Sequence, residues 1–179
     1  LTGNTTYYVR AYATNTAGTG YGNSFGFTTT SGGATLNDIE GNTYNIISIG
    51  TQTWMASNLK TLKLNDGTLI PNVIDPFNWG TLITPGYAWF NDDATTYQNN
   101  GYGALYNWYA VSSGKLCPTG WHVPTVDDWN SLTTFLGGAP VDGGKVKETG
   151  ILHWQSPNTG ATDEVGFTAL PAGMWAFWD

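Results

Sequence analysis

Charged side chains are scarce in this sequence, and positively charged ones are the scarcest. They make up 11% of the 179 residues, and six lysines and arginines against thirteen acids leave a formal net charge of −7. Nucleic acids and anionic membrane surfaces are bound through clusters of positive charge. The composition therefore excludes nucleic acid as an expected partner, and an anionic membrane surface as well.

Cysteine and histidine are almost missing too, which limits thiol and metal chemistry. Cys117 is the one cysteine and cannot form a disulfide within these residues, although a thiol outside them could pair with it. The two histidines, His122 and His153, lie about thirty residues apart, with no further histidine or cysteine at metal-ligand spacing. We therefore predict no metal and no cofactor.

Long apolar runs are also missing. No stretch approaches the roughly 20 apolar residues of a transmembrane helix, so the chain is not expected to be embedded in a membrane. No signal peptide is visible, and Leu1 leads directly into a strand-like segment, from which we expect the sequence to begin inside a longer protein. Aromatic residues (15%) and the 24 glycines are, by contrast, abundant. They exclude a disordered chain and predict short strands joined by many turns.

The first patterned segment is TTYYVRAYATNTAGTGYGNSFGFTTT, residues 5–30. Apolar and polar residues alternate twice around a turn at 15–20, which predicts two strands, the second over 24–29. A lone hairpin is marginally stable in water, so other strands should cover it. The segment resembles the last two strands of a fibronectin type III-like β-sandwich, which assigns residues 1–30 to an incomplete domain of that kind. The alternative is that the hairpin belongs to the sheet of the next domain.

Residues 31–35 are predicted to be a flexible linker, followed by a second domain over 36–179. Strands are predicted before residue 41, over 44–49 and around Trp54. The chain from 70 to 102 should be loop-rich, and GALYNWYAV, residues 103–111, is either a strand or a short helix. Turns are predicted at Gly41-Asn42, Gly50 and Asn65-Asp66-Gly67, and regular structure should be broken at Pro71, Pro76 and Pro85.

The segment CPTGWHVPTVDDWNSLTTFLGG, residues 117–138, predicts a helix with both ends marked. Thr125 can cap its start while Asp128 reaches back to the cap, and acidic side chains favour this end of the helix dipole. Gly137-Gly138 should end the helix. A stripe at helical spacing is expected to face the core: Val126, Trp129, Leu132, Thr133 and Leu136. Trp129 should therefore be buried, and Trp121 with Val123 should form a strand-like lead-in.

Two reactive side chains in this segment have both a chemical and a structural interpretation. Cys117 could be a nucleophile beside a base, but no nucleophile motif surrounds it, which favours a structural or disulfide role. His122 could be a base or a ligand, but a lone histidine beside tryptophan is more often a packing or surface residue. The residues that we interpret as structural are Cys117, Trp121, Thr125, Asp128 and Trp129.

Several segments, in order, resemble one family. DIEGNTYNIISIGTQTWMASNLKT, YGALYNWYAV, CPTGWHVPTVDDWNSLTTFLGG, GGKVKETG and HWQSPNTGATDEVGFTALPAG together resemble the Fibrobacter succinogenes major paralogous domain over residues 36–173. The resemblance implies secreted and cell-surface proteins of Bacteroidetes-type and fibre-degrading bacteria, often with β-sandwich modules, and no general catalytic activity. It also implies that a cysteine on a final strand, absent from these 179 residues, pairs with Cys117.

A more distant similarity indicates the fold. HVPTVDDW enters a helix much as an LPTEAEW-like segment does in the C-type-lectin-like fold, which formylglycine-generating enzymes share. We therefore expect an α+β, C-type-lectin-like domain that is loop-rich and has few short helices. Fold analogy does not carry function. The catalytic cysteines of those enzymes have no counterpart here, and Ser156-Pro157-Asn158 lacks the acidic first position of the lectin sugar site.

The favoured function is a non-catalytic module, extracellular or associated with the outer membrane at the cell surface, that serves adhesion or binds a glycan or a surface protein. Nine tryptophans and ten tyrosines with few charges suit stacking on sugar rings. Binding residues concentrate in loops. The predicted platform is therefore Trp79, Tyr87, Trp89 and Tyr97; the alternative is that most of these aromatic residues build the core.

Two other functions remain as alternatives. An enzyme of glycoside hydrolase or formylglycine-generating type would need suitable catalytic groups, and hydrolysis needs two carboxylates on either side of a bond. The available acids stand in capping or turn-like contexts: Asp92, Asp93, Asp127, Asp128, Asp163 and Glu164. The chain could also be cargo or an accessory component of a surface secretion or motility assembly, although it carries no targeting signal.

Overall fold

A computed structural model of the chain describes residues 6–28 and 33–175. The chain divides into two compact units, Leu1–Ala34 and Thr35–Asp179. Outside the described residues lie 1–5, 29–32 and 176–179. These include both ends of the predicted hairpin segment and the predicted linker residues 31 and 32.

The first unit contains a β-hairpin in two paired sections. β1 (Thr6–Val9) pairs with β4 (Phe25–Thr28), and β2 (Tyr12–Asn15) pairs with β3 (Gly18–Tyr21), both antiparallel. Between the sections, two residues on one arm face three on the other, which makes a bulge. Within this bulge the Gly22 N–H donates a hydrogen bond to the Ala11 carbonyl at 2.8 Å.

The predicted hairpin is confirmed, but its turn is shorter than expected. Gly18 and Gly20, expected in the turn, belong to β3, so that only Thr16 and Ala17 connect the strands. The Asn15 side chain makes this possible because its Oδ1 accepts a hydrogen bond from the Ala17 N–H at 2.8 Å. The aromatic side chains Tyr8, Tyr12, Tyr21 and Phe25 are each more than half exposed.

The second unit opens with an antiparallel sheet in the order β5-β6-β7. Its strands are β5 (Thr35–Asn37), β6 (Thr43–Ile49) and β7 (Gln52–Met55), and β5 already includes the last residue of the predicted linker. The predicted strands and the turns between them are confirmed. Gly50 permits the tight β6–β7 turn because its φ of 61° suits glycine. Tyr44, Ile49 and Trp54 are buried.

Asp38, which follows β5, joins the sheet to a later part of the chain. Its Oδ1 accepts hydrogen bonds from the N–H groups of Glu40 and Asn42, both at 2.9 Å. Its Oδ2 accepts from the Asn42 amide at 2.8 Å and from the Tyr44 hydroxyl at 2.7 Å. The Tyr44 hydroxyl in turn accepts from the Lys60 N–H at 3.2 Å. A buried carboxylate therefore holds the β5–β6 turn against the chain that follows β7.

The middle of the second unit is loop-rich, as predicted, but it contains short regular elements. They are α1 (Pro76–Thr81), β8 (Tyr87–Ala88), α2 (Ala94–Asn99), β9 (Leu105–Tyr106) and α3 (Trp108–Ser112). The prediction that Pro76 breaks regular structure is wrong, since it occupies the first turn of α1, where no N–H is needed. Residues 103–111 contain both of the predicted alternatives, a strand and a helix.

The longest helix is α4 (Val126–Leu136), and both of its predicted ends are confirmed. The Thr125 Oγ1 accepts from the Asp128 N–H at 3.3 Å, and the Asp128 Oδ2 accepts from the Thr125 N–H at 2.8 Å, which completes a capping box. Gly137 ends the helix with a φ of 100°. A five-residue helix, α5 (Asp142–Val146), follows.

The predicted core stripe of α4 is only half right. Leu132 and Leu136 are buried, but Trp129 is 45% exposed and Val126 is 76% exposed. The prediction that Trp129 is buried is wrong because Trp54, from β7, takes the core position. The Trp129 ring lies against the Trp54 ring with 5.0 Å between centroids, so one face of Trp129 packs and the other meets solvent.

The expected strand-like lead-in to α4 is also absent. Residues 121–125 have no regular structure, and the Trp121 N–H donates to the Pro118 carbonyl at 2.9 Å in a turn. Trp121 and Val123 are half-buried, and Val123 packs against the larger hydrophobic cluster. The prediction that they are strand residues is therefore wrong, and the structural role assigned to Trp121 stays a prediction.

Two hydrophobic clusters form the core of the second unit. One consists of Leu64, Ile70, Tyr87, Trp89, Ala110 and Leu116, and the other of Ile49, Trp54, Leu132 and Leu136. Small sheets and short helices around these clusters confirm the predicted α+β, loop-rich class.

Replacing Thr125 with alanine should lower the free energy of unfolding of the second unit by about 1 kcal/mol, because it removes the acceptor for the Asp128 N–H. Serine at the same position keeps the hydroxyl and should cost much less. Urea unfolding followed by tryptophan fluorescence measures both variants, since every tryptophan of the chain lies in the second unit. Equal losses for the two variants would contradict the capping role.

Candidate functional site

The four aromatic residues of the predicted platform do not share one surface. Tyr87 and Trp89 are core residues, only 8% and 3% exposed, and their rings pack edge to face with 5.6 Å between centroids. They cannot offer a ring face to a ligand, because Tyr87 in β8 and Trp89 just after it both belong to the larger hydrophobic cluster. Trp79, in α1, and Tyr97, in α2, are half-buried and belong to different elements.

Tyr97 belongs instead to a row of four half-buried aromatic rings, which we call the aromatic row: Phe90, Tyr97, Tyr102 and His153. Successive ring centroids are 5.5, 4.9 and 5.4 Å apart. The row therefore joins α2 and its flanks to a loop about fifty residues further along the chain.

Two local features build the row around Tyr97. Asp93 caps α2 by accepting a hydrogen bond from the Thr96 N–H at 3.0 Å, which fixes the helix that carries Tyr97. After α2 the chain turns at Gly101, whose φ is 76°. The Tyr102 N–H then donates to the Tyr97 carbonyl at 3.0 Å, so the two tyrosine rings come together.

A cavity of about 140 Å³ lies next to the aromatic row. It is lined by residues 55–58, Gly101 and residues 167–170. Gly101 directly precedes Tyr102, and the Asn58 amide, on the opposite wall, donates to the Tyr102 carbonyl at 3.1 Å. The cavity and the row therefore share a border at Tyr102.

Trp154, the residue after His153, contacts the cavity wall. Its Nε1 donates to the carbonyl of Ala169, a cavity-lining residue, at 3.0 Å. The Lys147 Nζ lies 4.1 Å from the centroid of the Trp154 ring and covers one of its faces. Trp154 thus holds its loop against the cavity wall.

His153 is the polar end of the aromatic row. Its Nδ1 donates to both carboxylate oxygens of Glu148, at 2.8 and 2.9 Å, and the two side chains are only 16% and 15% exposed. The carboxylate oxygens accept, so Nδ1 carries a proton in this pair. The Nε2 atom has no hydrogen-bond partner in the described part of the chain, and a hydroxyl group, which can both donate and accept, suits it.

Asn158 fixes the loop that carries this histidine. It is buried, has a positive φ of 48°, and its Nδ2 donates to the carbonyls of Glu148 and Gly150 at 2.8 and 2.6 Å. The two backbone bonds hold the Glu148 end of the loop in place. The geometry of the Glu148–His153 pair is therefore preorganised.

Cys117 and His122 lie outside the aromatic row. Burial raises the pKa of the half-buried Cys117 thiol, which keeps it protonated at neutral pH and disfavours the nucleophile interpretation. Its carbonyl accepts from the Asn65 amide at 3.0 Å, so the residue has a structural contact. His122 is exposed and its Nε2 lies 3.0 Å from the Asp128 Oδ2, in agreement with a surface residue.

Four of the six carboxylates considered for catalysis form local hydrogen bonds or ion pairs: Asp93, Asp128, Asp163 and Glu164. Hydrogen bonds from Thr125, with a smaller contribution from His122, lower the pKa of Asp128 to about 2. Asp163 accepts from the Thr168 N–H at 2.7 Å, and Glu164 pairs with Lys145 at 2.9 Å. Within residues 6–28 and 33–175, no three His, Cys, Asp or Glu side chains come together in a group that could hold a metal ion.

Sequence reasoning missed three of the four members of the row: Phe90, Tyr102 and His153. Phe90 and Tyr102 flank α2, and only the unrecognised Asp93 cap and Gly101 turn could have placed them beside Tyr97. No short-range signal connects Tyr102 to His153, because the two residues are far apart in the chain. Only the folded structure brings them together.

The family comparison matches a segment of the second unit. Residues 47–179 match the model of the Fibrobacter succinogenes major domain, a segment that begins within β6 and includes the whole aromatic row. No curated protein and no solved structure matches the chain. None of the helices in the described ranges combines the length and apolar character that crossing a membrane requires. Since the match covers well over half of the sequence, the chain belongs to the Fibrobacter succinogenes major domain family.

Proposed function

We propose that this protein is a non-catalytic recognition module, secreted to the cell surface, that binds a glycan along the aromatic row. The single observation that supports it most is the run of four half-buried rings beside a cavity of about 140 Å³. Sugar rings present apolar C–H faces to aromatic rings and hydroxyl groups to polar neighbours. The rings of the row contact the C–H faces, and the His153 Nε2 forms a hydrogen bond with a hydroxyl group.

Recognition is favoured over catalysis by the state of the acids. Glycoside hydrolysis needs one carboxylate of raised pKa and a second one about 5 to 9 Å away. The carboxylate nearest to the row, Glu148, is engaged with His153 through both oxygens. A paired carboxylate of this kind orients the imidazole, and Asp93, another acid beside the row, is engaged in capping α2.

We also propose the finer architecture. The second unit adopts a C-type-lectin-like fold, in which the capped helix α4 packs beneath a loop-rich half that carries the ligand. The hairpin β1–β4 is the end of a fibronectin type III-like sandwich, since its largely exposed aromatic residues need other strands to cover them. Two such modules in one surface protein suit adhesion.

Alanine at both Tyr97 and Tyr102 should abolish most of the glycan affinity. Removal of one stacked ring costs about 1 kcal/mol beyond its buried area, so each single variant should raise the dissociation constant about fivefold or more. Affinity electrophoresis in gels containing neutral plant and bacterial polysaccharides, followed by calorimetry on the best ligand, measures this effect.

The matched control is Tyr109→Ala, because Tyr109 is 41% exposed but lies on α3, outside the aromatic row. It should bind as tightly as the unmodified protein. Equal affinities for the double variant and the control would refute the row as the binding surface. A failure of the unmodified protein to bind any polysaccharide would refute the glycan proposal itself.

A further inference from the structure

A second concave surface lies away from the aromatic row, beside an open strand edge. Val73 donates its N–H to the Tyr87 carbonyl at 2.8 Å, and Tyr87 donates to the Pro71 carbonyl at 3.0 Å, so this segment pairs in parallel with β8. In such a pair alternate residues point away from the partner strand. Asn72 and Ile74 are those residues, and in the described part of the chain no partner is found for the N–H of either.

This unpaired edge forms one wall of a cleft of about 470 Å³. The opposite wall is α1 with the segment that follows it, and the lining residues are Asn72, Val73, Ile74, Asp75, Asn78 and residues 81–84. Two aliphatic side chains at the cleft, Ile74 and Ile83, are 55% and 75% exposed. Unpaired backbone donors beside exposed aliphatic side chains are the features that bind an extended peptide.

The cleft is held open by contacts behind it. The Asn107 Oδ1 accepts from the Gly86 N–H at 3.0 Å, and its Nδ2 donates to the Thr84 carbonyl at 2.8 Å. Gly86 leaves room for the Leu82 side chain, since a Cβ at Gly86 would lie 2.6 Å from the Leu82 Cδ2. The loop is therefore fixed at its base before any ligand arrives, which lowers the entropic cost of binding.

The negative charge of the cleft favours peptides that carry a basic side chain. Of the described residues that line it, Asp75 alone is charged, and none of them is a lysine or an arginine. Its Oδ1 caps α1 by accepting from the Asn78 N–H at 2.8 Å, which leaves Oδ2 for another donor. A basic side chain is therefore complementary to this end of the cleft.

We propose that the cleft binds an extended segment of a partner protein, which adds as a strand to the Asn72–Ile74 edge. An aliphatic side chain of the segment lies between Ile74 and Ile83, and a basic side chain reaches Asp75. The site is separate from the aromatic row and does not depend on glycan binding.

The probe is a synthetic peptide, acetyl-Thr-Val-Thr-Val-Lys-amide, and its control is the same peptide with N-methyl groups at alternate residues. The whole chain is labelled with ¹⁵N, and amide hydrogen exchange is measured with each peptide at millimolar concentration. We expect the unmodified peptide to slow the exchange of the Asn72 and Ile74 amides by about tenfold, the result of mostly occupied sites. The methylated peptide should leave both amides unchanged.

Two variants locate the side-chain contacts. Ile83→Thr and Asp75→Asn should each weaken the protection, and asparagine at position 75 can still cap α1. Unchanged exchange at Asn72 and Ile74 with the unmodified peptide would overturn the proposal. Equal protection by the methylated peptide would overturn it as well, because strand addition needs the peptide backbone donors.

Discussion

Replacing Asp38 with alanine should lower the free energy of unfolding of the second unit by about 3 kcal/mol, since it leaves several buried donors without an acceptor. The carboxylate is only 9% exposed and receives hydrogen bonds from the Tyr44 hydroxyl and from two backbone N–H groups. Tyr44 itself is 1% exposed, so water cannot easily replace the lost acceptor. Urea unfolding followed by tryptophan fluorescence measures the loss.

The same carboxylate predicts a pH dependence. Burial by itself would raise the pKa of Asp38, but hydrogen bonds from Asn42, Tyr44 and Glu40 outweigh it and hold the pKa below its ordinary value. A pKa that is lower in the folded state than in the unfolded state stabilises the fold above the unfolded value, about 3.9. This stabilisation is lost as the pH falls from there through the folded pKa.

Two comparisons test the Asp38 prediction. Asp66→Ala removes an exposed carboxylate that pairs with Lys115 at 2.7 Å, and it should have a much smaller effect, as surface ion pairs usually do. The difference in stability between the unmodified protein and Asp38→Asn should shrink as the pH falls from about 4 through the folded pKa of Asp38, because below that pKa both side chains are uncharged. A difference that is constant from neutral to acidic pH would show that folding does not lower the pKa of Asp38.

The features that could be predicted from the sequence are those whose chemistry is local. The capping box of α4 needs only Thr125 and Asp128, three residues apart, and the β6–β7 turn needs only Gly50. Each of these signals acts through backbone geometry within a few residues. Pro76 shows that even a local signal can be misread, because a proline after Asp75 marks a helix start as readily as a break.

The features that could not be predicted depend on which residues meet in space. Trp129 has the correct helical spacing for burial, but Trp54 from β7 takes the core position beneath it. Among the loop aromatics, Trp89 is buried in the core and Tyr97 is only half-buried. Both lie in a segment predicted to be loop-rich, and their different burial depends on contacts with other parts of the chain.

The candidate site had the weakest sequence signal for the same reason. Tyr97 was predicted as a ligand-binding residue, but the row around it depends on the contact of Tyr102 with His153, whose rings are 5.4 Å apart. That contact depends in turn on Asn158 and Glu148, which shape the histidine loop. A binding surface assembled from two distant segments leaves no motif at either one.

The position that the aromatic row depends on most closely is Gly103, which follows Tyr102. A Cβ at Gly103 would lie 2.5 Å from the Leu59 carbonyl oxygen and 2.8 Å from the Asn58 Cβ, and the φ of Gly103 is 71°. Gly103→Ala should therefore lower the free energy of unfolding by about 2 to 5 kcal/mol, through a left-handed backbone and a clash with fixed main chain. Urea unfolding measures the loss, and glycan affinity should fall because Tyr102 is displaced.

Gly114→Ala separates the two causes of this loss. Gly114 has nearly the same φ, 68°, but a Cβ there would meet no atom within 4 Å. It should lose only the left-handed contribution, about 1 to 2 kcal/mol, and should bind glycan as before. If Gly103→Ala lost no more stability than Gly114→Ala, the close approach to Leu59 would not constrain the fold. If Gly103→Ala lost stability but kept its full glycan affinity, the position of Tyr102 would not matter for binding.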